Sequence, residues 1–287
     1  MPSWNKRRER FRAILEGNAC VHPASVHDAI SARIADDLGF ELGMFAGSVA
    51  SLAVLGAPDL IVLTLTEFAD QAYRISRAAE LPVLADADHG YGNALNVMRT
   101  VEELENAGIS GLSIEDTELP QPYGSGGKPS LISVEEGAAK VAAAIAARSD
   151  PGLVIAGRTS AAAFAGIEQA IVRAKAYEAA GADAIFLVGV KTRADLEAVA
   201  AEVKLPLIIG GAGPDMDDRD YLAGQNVRVC LQGHQPFAAS VQAIHATMKA
   251  LREGTPPKEL TGVASADMMA AASRKDDYAG WIKSYLG

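Results

Sequence analysis

The chain has 287 residues, 49% of them apolar and 22% charged, a composition typical of a folded globular enzyme and outside the range of disordered chains. Its formal net charge of −10 argues against nucleic acid as a partner, because phosphate binding needs a basic surface. The longest apolar window, 52–65, contains Pro58 and Asp59 and is shorter than a bilayer span of about 20 residues, so no membrane contact is expected.

The chain opens on a basic segment, Lys6–Arg10, which predicts a surface helix because no apolar run of the signal-peptide type follows it. Apolar runs and helical patterns then alternate along the chain. The predicted strands are 19–21, 42–46, 82–87, 111–114, 153–156, 184–188, 206–209 and 227–231. The predicted helices between them include 67–80, 93–107, 134–148, 167–180 and 193–203, with N-cap signals at Ser133 and Thr192.

Strands that alternate with helices predict a parallel sheet, and eight such units in about 250 residues fit the α/β class as a (β/α)₈ TIM-type barrel. A doubly wound open sheet is the alternative. The predicted barrel domain is 1–255. Two further helical patterns, 265–273 and 276–286, form a C-terminal helical extension, 256–287, which we expect to dock on a neighbouring subunit.

Two cysteines far apart in a long chain, Cys20 and Cys230, indicate reduced, buried thiols and predict a cytoplasmic location.

The third predicted strand ends in two carboxylates, Asp86 and Asp88, followed by a glycine turn. In an extended chain residues i and i+2 point to the same side, so both carboxylates should face one spot. Such a pair repels unless a cation lies between its members, and oxygen ligands favour Mg²⁺, or Mn²⁺ in its place. The alternative is an N-cap for the helix that begins near Asn93.

Other predicted strands also end in polar groups. Strand two ends at Gly47 and Ser48, strand four at Glu115, strand five at Arg158, and strand eight at His234. Because the carboxyl ends of barrel strands meet on one rim, this convergence predicts an active site. Arg158 fits a bidentate clamp on a substrate carboxylate, or a structural ion pair with Glu115. His234 fits a proton donor, or a packed histidine.

Some patterns in the sequence indicate no site of their own. Gly90–Leu95 lacks the third glycine of a dinucleotide fingerprint, and Asp215–Asp220 lacks the glycine and glutamate of a calcium loop. Gly210–Pro214 lies where barrels bind phosphate but is equally explained as a turn. Lys191, just past strand six, fits a surface lysine better than a Schiff-base lysine. Tyr123–Pro129, rich in glycine, predicts a mobile lid.

Nearly the whole chain resembles the phosphoenolpyruvate mutase/isocitrate lyase superfamily. The resemblance rests on five motifs in family order and spacing: Ala46-Gly-Ser48, Leu55-Gly-Ala-Pro-Asp59, Ala85-Asp-Ala-Asp-His-Gly-Tyr-Gly92, Ile114-Glu-Asp116 and Gly157-Arg-Thr159. It implies a tetrameric α/β barrel, a dimer of dimers, whose last helix swaps between paired subunits.

The same resemblance implies roles for individual residues. Asp86 would bind Mg²⁺ directly, and Asp88, Glu115 and Asp59 would hold it through waters or outer contacts. The amides of Gly47 and Ser48 would form an oxyanion site, and Arg158 would clamp the substrate. The resemblance also implies an enolate or α-oxyanion carboxylate intermediate, chelated to Mg²⁺, which the family shares.

Departures from the family pattern narrow the predicted activity. The lyase branch carries a catalytic cysteine in the loop after strand four, where this chain has Tyr123. The lyases' strand-seven Asn is Gly210, and the residue after strand six is Val188 where relatives place Glu or His. The presence of His234 together with Gly47–Leu52 and Glu115–Pro120 resembles the oxaloacetate decarboxylase branch.

The predicted function is Mg²⁺-dependent decarboxylation of oxaloacetate, or of 3-methyloxaloacetate, to pyruvate and CO₂ through an enolate, with Arg158 and His234 as catalytic residues. Binding of the α-keto dicarboxylate would use Gly47, Ser48, Arg158 and His234. Three alternatives stay open at this point. They are a carbon–carbon lyase of the isocitrate or 2-methylisocitrate type, a Schiff-base lyase using Lys191, and a barrel that only binds a ligand or partner.

Overall fold

The computed structural model describes residues 4–287 and contains a single sheet of eight parallel strands, in the order of the sequence. The strands are β1 (Ala24–Ser25), β2 (Gly43–Ala46), β3 (Val83–Asp86), β4 (Gly111–Glu115), β5 (Val154–Thr159), β6 (Ala184–Leu187), β7 (Leu207–Ile209) and β8 (Val227–Cys230). A parallel bridge between Val21 and Val229 joins the segment before β1 to β8, and so links the two ends of the sheet. This confirms the predicted α/β TIM-type fold.

Thirteen α-helices lie in the described part of the chain: α1 (Trp4–Glu16), α2 (Ala29–Asp37), α3 (Gly47–Leu55), α4 (Leu65–Ala78), α5 (Ala94–Asn106), α6 (Val134–Ala147), α7 (Ala161–Phe164), α8 (Ile167–Ala179), α9 (Arg193–Glu202), α10 (Arg219–Gly224), α11 (Gln235–Arg252), α12 (Ala266–Ser273) and α13 (Lys275–Tyr285). Short 3₁₀ turns span Pro214–Met216 and Pro257–Glu259. Both predicted caps are present, since Ser133 and Thr192 accept from the amides three residues on. Among residues 4–287, the helices are all too short or too polar to cross a bilayer.

The chain divides into two compact units, Met1–Gly233 and His234–Gly287. The sequence places the domain boundary at residue 255 instead, and that assignment stays a prediction. The first unit contains the whole sheet and helices α1 to α10. The second contains α11 to α13, with exposed apolar side chains on all three helices, among them Met248, Met268 and Trp281.

Strand register determines which side chains share the inner face of the sheet. Asp86 is paired with Ser113, Glu115 with Arg158, and Arg158 in turn with Phe186. Residues paired in register on neighbouring strands project to the same face. The outer face packs on the helices in two apolar clusters, in one of which Phe45 stacks on Phe68 with ring centroids 4.6 Å apart. The polar row at the carboxyl ends of β3, β4 and β5 therefore has a rigid support.

Candidate active site at the strand ends

Three of the predicted site residues meet directly at the inner face of the sheet. Arg158 Nη1 donates to Asp86 Oδ2, and Arg158 Nη2 lies 3.3 Å from Glu115 Oε2. Both carboxylates and the guanidinium are largely buried. Burial alone would lower the pKa of Arg158, but the adjacent Asp86 and Glu115 outweigh it and raise that pKa, so the guanidinium is permanently charged. The arrangement is one cation held between two carboxylates.

Two hydroxyls orient these carboxylates. Ser113 Oγ donates to Asp86 Oδ1 at 2.9 Å, and Thr117 Oγ1 donates to Glu115 Oε2 at 3.0 Å. Neither hydroxyl was among the predicted site residues. Ser113 could have been identified from its place in the apolar run of β4, where a polar residue in register with Asp86 must face the same side.

Asp88 reaches the site by a different route from the predicted one. Strand β3 ends at Asp86, and Asp88 follows in a turn with a left-handed φ of 49°. Desolvation of the Asp88 carboxylate raises its pKa well above the ordinary value, and the negative charges of Asp86, Glu115 and Asp59 raise it further. Asp86, Glu115 and Asp59 therefore all lie close enough to Asp88 to repel its carboxylate. The sequence argument correctly predicted that Asp86 and Asp88 lie close together. It assumed an extended strand through Asp88, whereas the structure has a turn there.

Helix α3 brings backbone amides to the same place. Its first residues are Gly47 and Ser48, and its N-cap residue is Ala46, whose methyl side chain accepts no hydrogen bond. The amides of the first turn therefore have no side-chain cap from Ala46, and a helix N-terminus favours negative charge. A Cβ on Gly47 would lie only 2.4 Å from Asp88 Oδ2, so only glycine allows this approach.

A lone buried hydroxyl also faces the acids. The Oη of Tyr91 has no hydrogen-bond partner in the described part of the chain. Desolvation raises the pKa of Tyr91, and the charges of Asp88, Asp86 and Asp59 raise it further, so the hydroxyl stays protonated. The sequence reasoning missed Tyr91 as a site residue, although it stands in the Gly90-Tyr91-Gly92 turn.

The remaining predicted residues are His234, Lys191 and Tyr123. His234 is the N-cap residue of α11 and the first residue of the second unit, so its role stays a prediction. Lys191 is exposed on the surface, as expected of a surface lysine. Tyr123 is fully exposed in the loop after β4.

The group of acidic side chains favours the binding of a cation. Arg158 faces three carboxylates, those of Asp86, Glu115 and Asp88, and such an excess of largely buried negative charge is stable only with a further positive group or with protons. In this conformation no cluster of three or more His, Cys, Asp or Glu side chains within residues 4–287 has the spacing of a metal site. Arg158 lies between Asp86 and Glu115 and accounts for this spacing.

Comparisons with known proteins show the family of this chain. The phosphoenolpyruvate phosphomutase family model matches residues 11–252. An oxaloacetate decarboxylase of Bradyrhizobium diazoefficiens is 60% identical over 273 residues, covering 95% of this chain and 94% of that protein. One of Rhodopseudomonas palustris strain TIE-1 is 57% identical over 285 residues, covering 99% of both.

Solved structures with the same fold include two that are similar over nearly the full length. Phosphonopyruvate hydrolase in complex with oxalate and Mg²⁺ superimposes with a TM-score of 0.86 at 28% identity, covering 98% of this chain and 99% of that one. 2,3-Dimethylmalate lyase, of the PEP mutase/isocitrate lyase superfamily, gives 0.86 at 26% identity, covering 100% and 97%. The predicted resemblance is confirmed, and the chain belongs to the phosphoenolpyruvate phosphomutase family.

Proposed function

We propose that the protein is an oxaloacetate decarboxylase that releases pyruvate and CO₂, with 3-methyloxaloacetate as a second candidate substrate. The observation that carries the proposal is the inner row in which Arg158 contacts Asp86 and Glu115, together with the N-terminus of α3, which has no side-chain cap. The names of several relatives at 56–60% identity over most of the chain support the same activity.

We propose Mg²⁺, or Mn²⁺ in its place, as the cofactor. The excess of carboxylates over cations supports this, and so does the Mg²⁺ in the phosphonopyruvate hydrolase complex. Asp86 would hold the ion directly, with Asp88, Glu115 and Asp59 as outer or water-mediated contacts. When bound, the ion supplies Lewis-acid stabilisation of a developing oxyanion.

The chain's own groups would divide the remaining work. Arg158 binds the C1 carboxylate of oxaloacetate as a two-pronged donor. The Gly47 and Ser48 amides donate to the C2 oxygen as it gains negative charge. The C4 carboxylate then leaves as CO₂, and its bonding electrons form the enolate. His234 delivers a proton to C3 and completes pyruvate, since an imidazole side chain can transfer a proton near neutral pH.

A carbon–carbon lyase of the 2-methylisocitrate type is the second candidate, supported by the likeness to 2,3-dimethylmalate lyase. Retro-aldol cleavage requires a proton donor for the departing carbanion, and Tyr123 occupies the place of the lyases' cysteine. Tyrosine, with a pKa of about 10, is a poor substitute for a thiol. The exposed position of Lys191 gives a Schiff-base mechanism no support, because such lysines are desolvated.

We further propose a cytoplasmic homotetramer, a dimer of dimers with swapped C-terminal helices. The second unit supports the assembly, because Ile244, Met248 and Leu251 on α11, and Trp281 and Ile282 on α13, are exposed apolar side chains. The buried free thiols of Cys20 and Cys230 support a reducing location. Light scattering of the purified protein tests the assembly.

The deciding experiment measures oxaloacetate loss and pyruvate formation with purified protein and Mg²⁺, corrected for decarboxylation by the metal alone. Oxalate, a planar enolate mimic, should inhibit competitively and bind only with metal present. Turnover should vanish in EDTA. Faster cleavage of 2-methylisocitrate than of oxaloacetate, or no turnover of either, would overturn the proposal.

A further inference from the structure

The loop between β4 and α6 is tied together at its base. Thr117 and Leu131 form an antiparallel bridge, the Glu118 amide donates to the Ser130 carbonyl at 2.8 Å, and the Ile132 amide donates to the Asp116 carbonyl at 2.9 Å. We call residues 116–118 and 130–132 the neck. The tip beyond it carries the fully exposed Tyr123. A loop with a fixed neck can move at its tip without moving its ends.

Two side chains of helix α8, Arg173 and Tyr177, donate hydrogen bonds to the neck. Arg173 Nη1 donates to Asp116 Oδ2 at 3.0 Å, and Arg173 Nη2 donates to the Ile132 carbonyl at 2.8 Å, so one guanidinium contacts both ends of the loop. Tyr177 Oη donates to the same Asp116 Oδ2 at 2.6 Å. The three side chains are buried, and hydrogen bonds are stronger in such a low-dielectric place. We call Asp116, Arg173 and Tyr177 the clamp.

The neck is connected to the active-site row through one hydroxyl. Thr117 Oγ1 donates to Glu115 Oε2, the oxygen that lies 3.3 Å from Arg158 Nη2. Glu115 and Asp116 are also neighbours in the chain, with their side chains on opposite sides of the sheet edge. A displacement of the neck must therefore reach Glu115 and Arg158.

We propose that Asp116, Arg173 and Tyr177 are positioning residues that hold Glu115 and Arg158 in register while the tip of the loop opens and closes. The clamp contacts none of the reacting atoms and acts through Thr117. A misplacement of about 1 Å at a reacting centre can cost on the order of 10²-fold in rate, which is why a buried ion pair on the outer face can matter for catalysis. The inference rests on the proposed function only where it is tested by the rate of oxaloacetate turnover.

Two clamp variants and one link variant test the proposal. Tyr177→Phe removes a hydroxyl and keeps the ring that packs beside Gly157, and Arg173→Lys keeps the charge but cannot contact both Asp116 and Ile132. Thr117→Val removes the link to Glu115. Tyr221→Phe is the matched control, because it loses a tyrosine–carboxylate bond to Glu197 at a remote site.

The first readout is kinetic. We expect kcat/KM for oxaloacetate to fall at least tenfold in Tyr177→Phe, Arg173→Lys and Thr117→Val, and to stay at the wild-type value in Tyr221→Phe. In the double variant Tyr177→Phe/Thr117→Val the losses should not multiply, because both changes act through one path. Independent, multiplicative losses would overturn the proposal.

The second readout needs no turnover. Hydrogen exchange of the Glu118 and Ile132 amides should accelerate in the clamp variants while exchange in β6 stays unchanged, whereas general destabilisation would accelerate both. Tyr177→Phe alone carries the test if Arg173→Lys does not fold. Wild-type neck exchange together with wild-type kcat/KM in Tyr177→Phe overturns the proposal. An inactive wild-type protein would refute the proposed function, and neck exchange would then decide the clamp alone.

Discussion

Replacing Gly47 by alanine tests whether activity depends on the close approach of helix α3 to Asp88. The added Cβ would lie 2.4 Å from Asp88 Oδ2 and 2.7 Å from Oδ1. An ordinary carbon–oxygen contact is about 3.3 Å, so the carboxylate or the helix must move by about 1 Å. A displacement of that size can cost on the order of 10²-fold in rate, and overpacking costs about 1–3 kcal/mol of unfolding free energy.

The assay follows oxaloacetate loss over a range of Mg²⁺ concentrations, with denaturant unfolding of the same samples. We expect Gly47→Ala to lower kcat/KM on the order of 100-fold and to need more Mg²⁺ for half-maximal rate. Gly224→Ala is the matched control, because a Cβ at Gly224 would meet no atom within 4 Å. Wild-type kcat/KM and Mg²⁺ dependence in Gly47→Ala would refute the packing argument.

Three further predictions concern the metal, the proton donor and the thiols. Asp86→Ala should lower kcat/KM more than tenfold and raise the Mg²⁺ requirement, as a steady-state titration would show; an unchanged titration would remove Asp86 from the metal site. His234→Ala should lower kcat by about 10²- to 10⁴-fold, whereas Tyr123→Phe should keep most turnover, and equal rates in the two variants would contradict these roles. Burial raises the pKa of Cys20 from 9.0 to about 11 and that of Cys230 to about 12, so neither thiol should react with Ellman's reagent in the native protein at about pH 8, and both should react after unfolding. The unfolded chain ionises these thiols first, so unfolding free energy should fall as pH rises above 9.0, and rapid native labelling would contradict their burial.

Much of the barrel follows from local sequence pattern, and its first strand shows where pattern fails. The run 19–21 was predicted as strand one, but β1 is Ala24–Ser25, and Val21 contributes only a bridge to β8. Pro23 lies between the two pieces and has no amide hydrogen to give the ladder, so it divides the strand. Helix α3 was not predicted either, because its nine residues are apolar on nearly every side and lack a helical period.

The part of the candidate site that lies at the strand ends was predictable from the sequence. Asp86, Glu115 and Arg158 each follow or end an apolar run, so their meeting could be expected. The contacts of Arg173 and Tyr177 with Asp116 could not be expected, because they depend on how α8 packs against β5. The two residues are 57 and 61 positions away from Asp116 along the chain. Local patterns contain no information about such tertiary pairs.

The closing bridge of the sheet also bears on the two cysteines. Because Val21 pairs with Val229, Cys20 and Cys230 lie diagonally across neighbouring strands. Their Cα atoms are then about 8 Å apart, beyond the reach of a disulfide. Oxidation therefore cannot seal this junction covalently.

The closing bridge between Val21 and Val229 can form only late in synthesis of the chain. The groups that close it, such as His22 and the Cys230 carbonyl, are 208 residues apart in the chain. At translation rates of about 5–20 residues per second, roughly 10 to 40 s pass between the emergence of the first partner and the second. During that interval the nascent sheet has an unpaired edge at β1, which can pair with other extended chains. A chaperone that covers nascent strand edges should therefore raise the yield of folded protein.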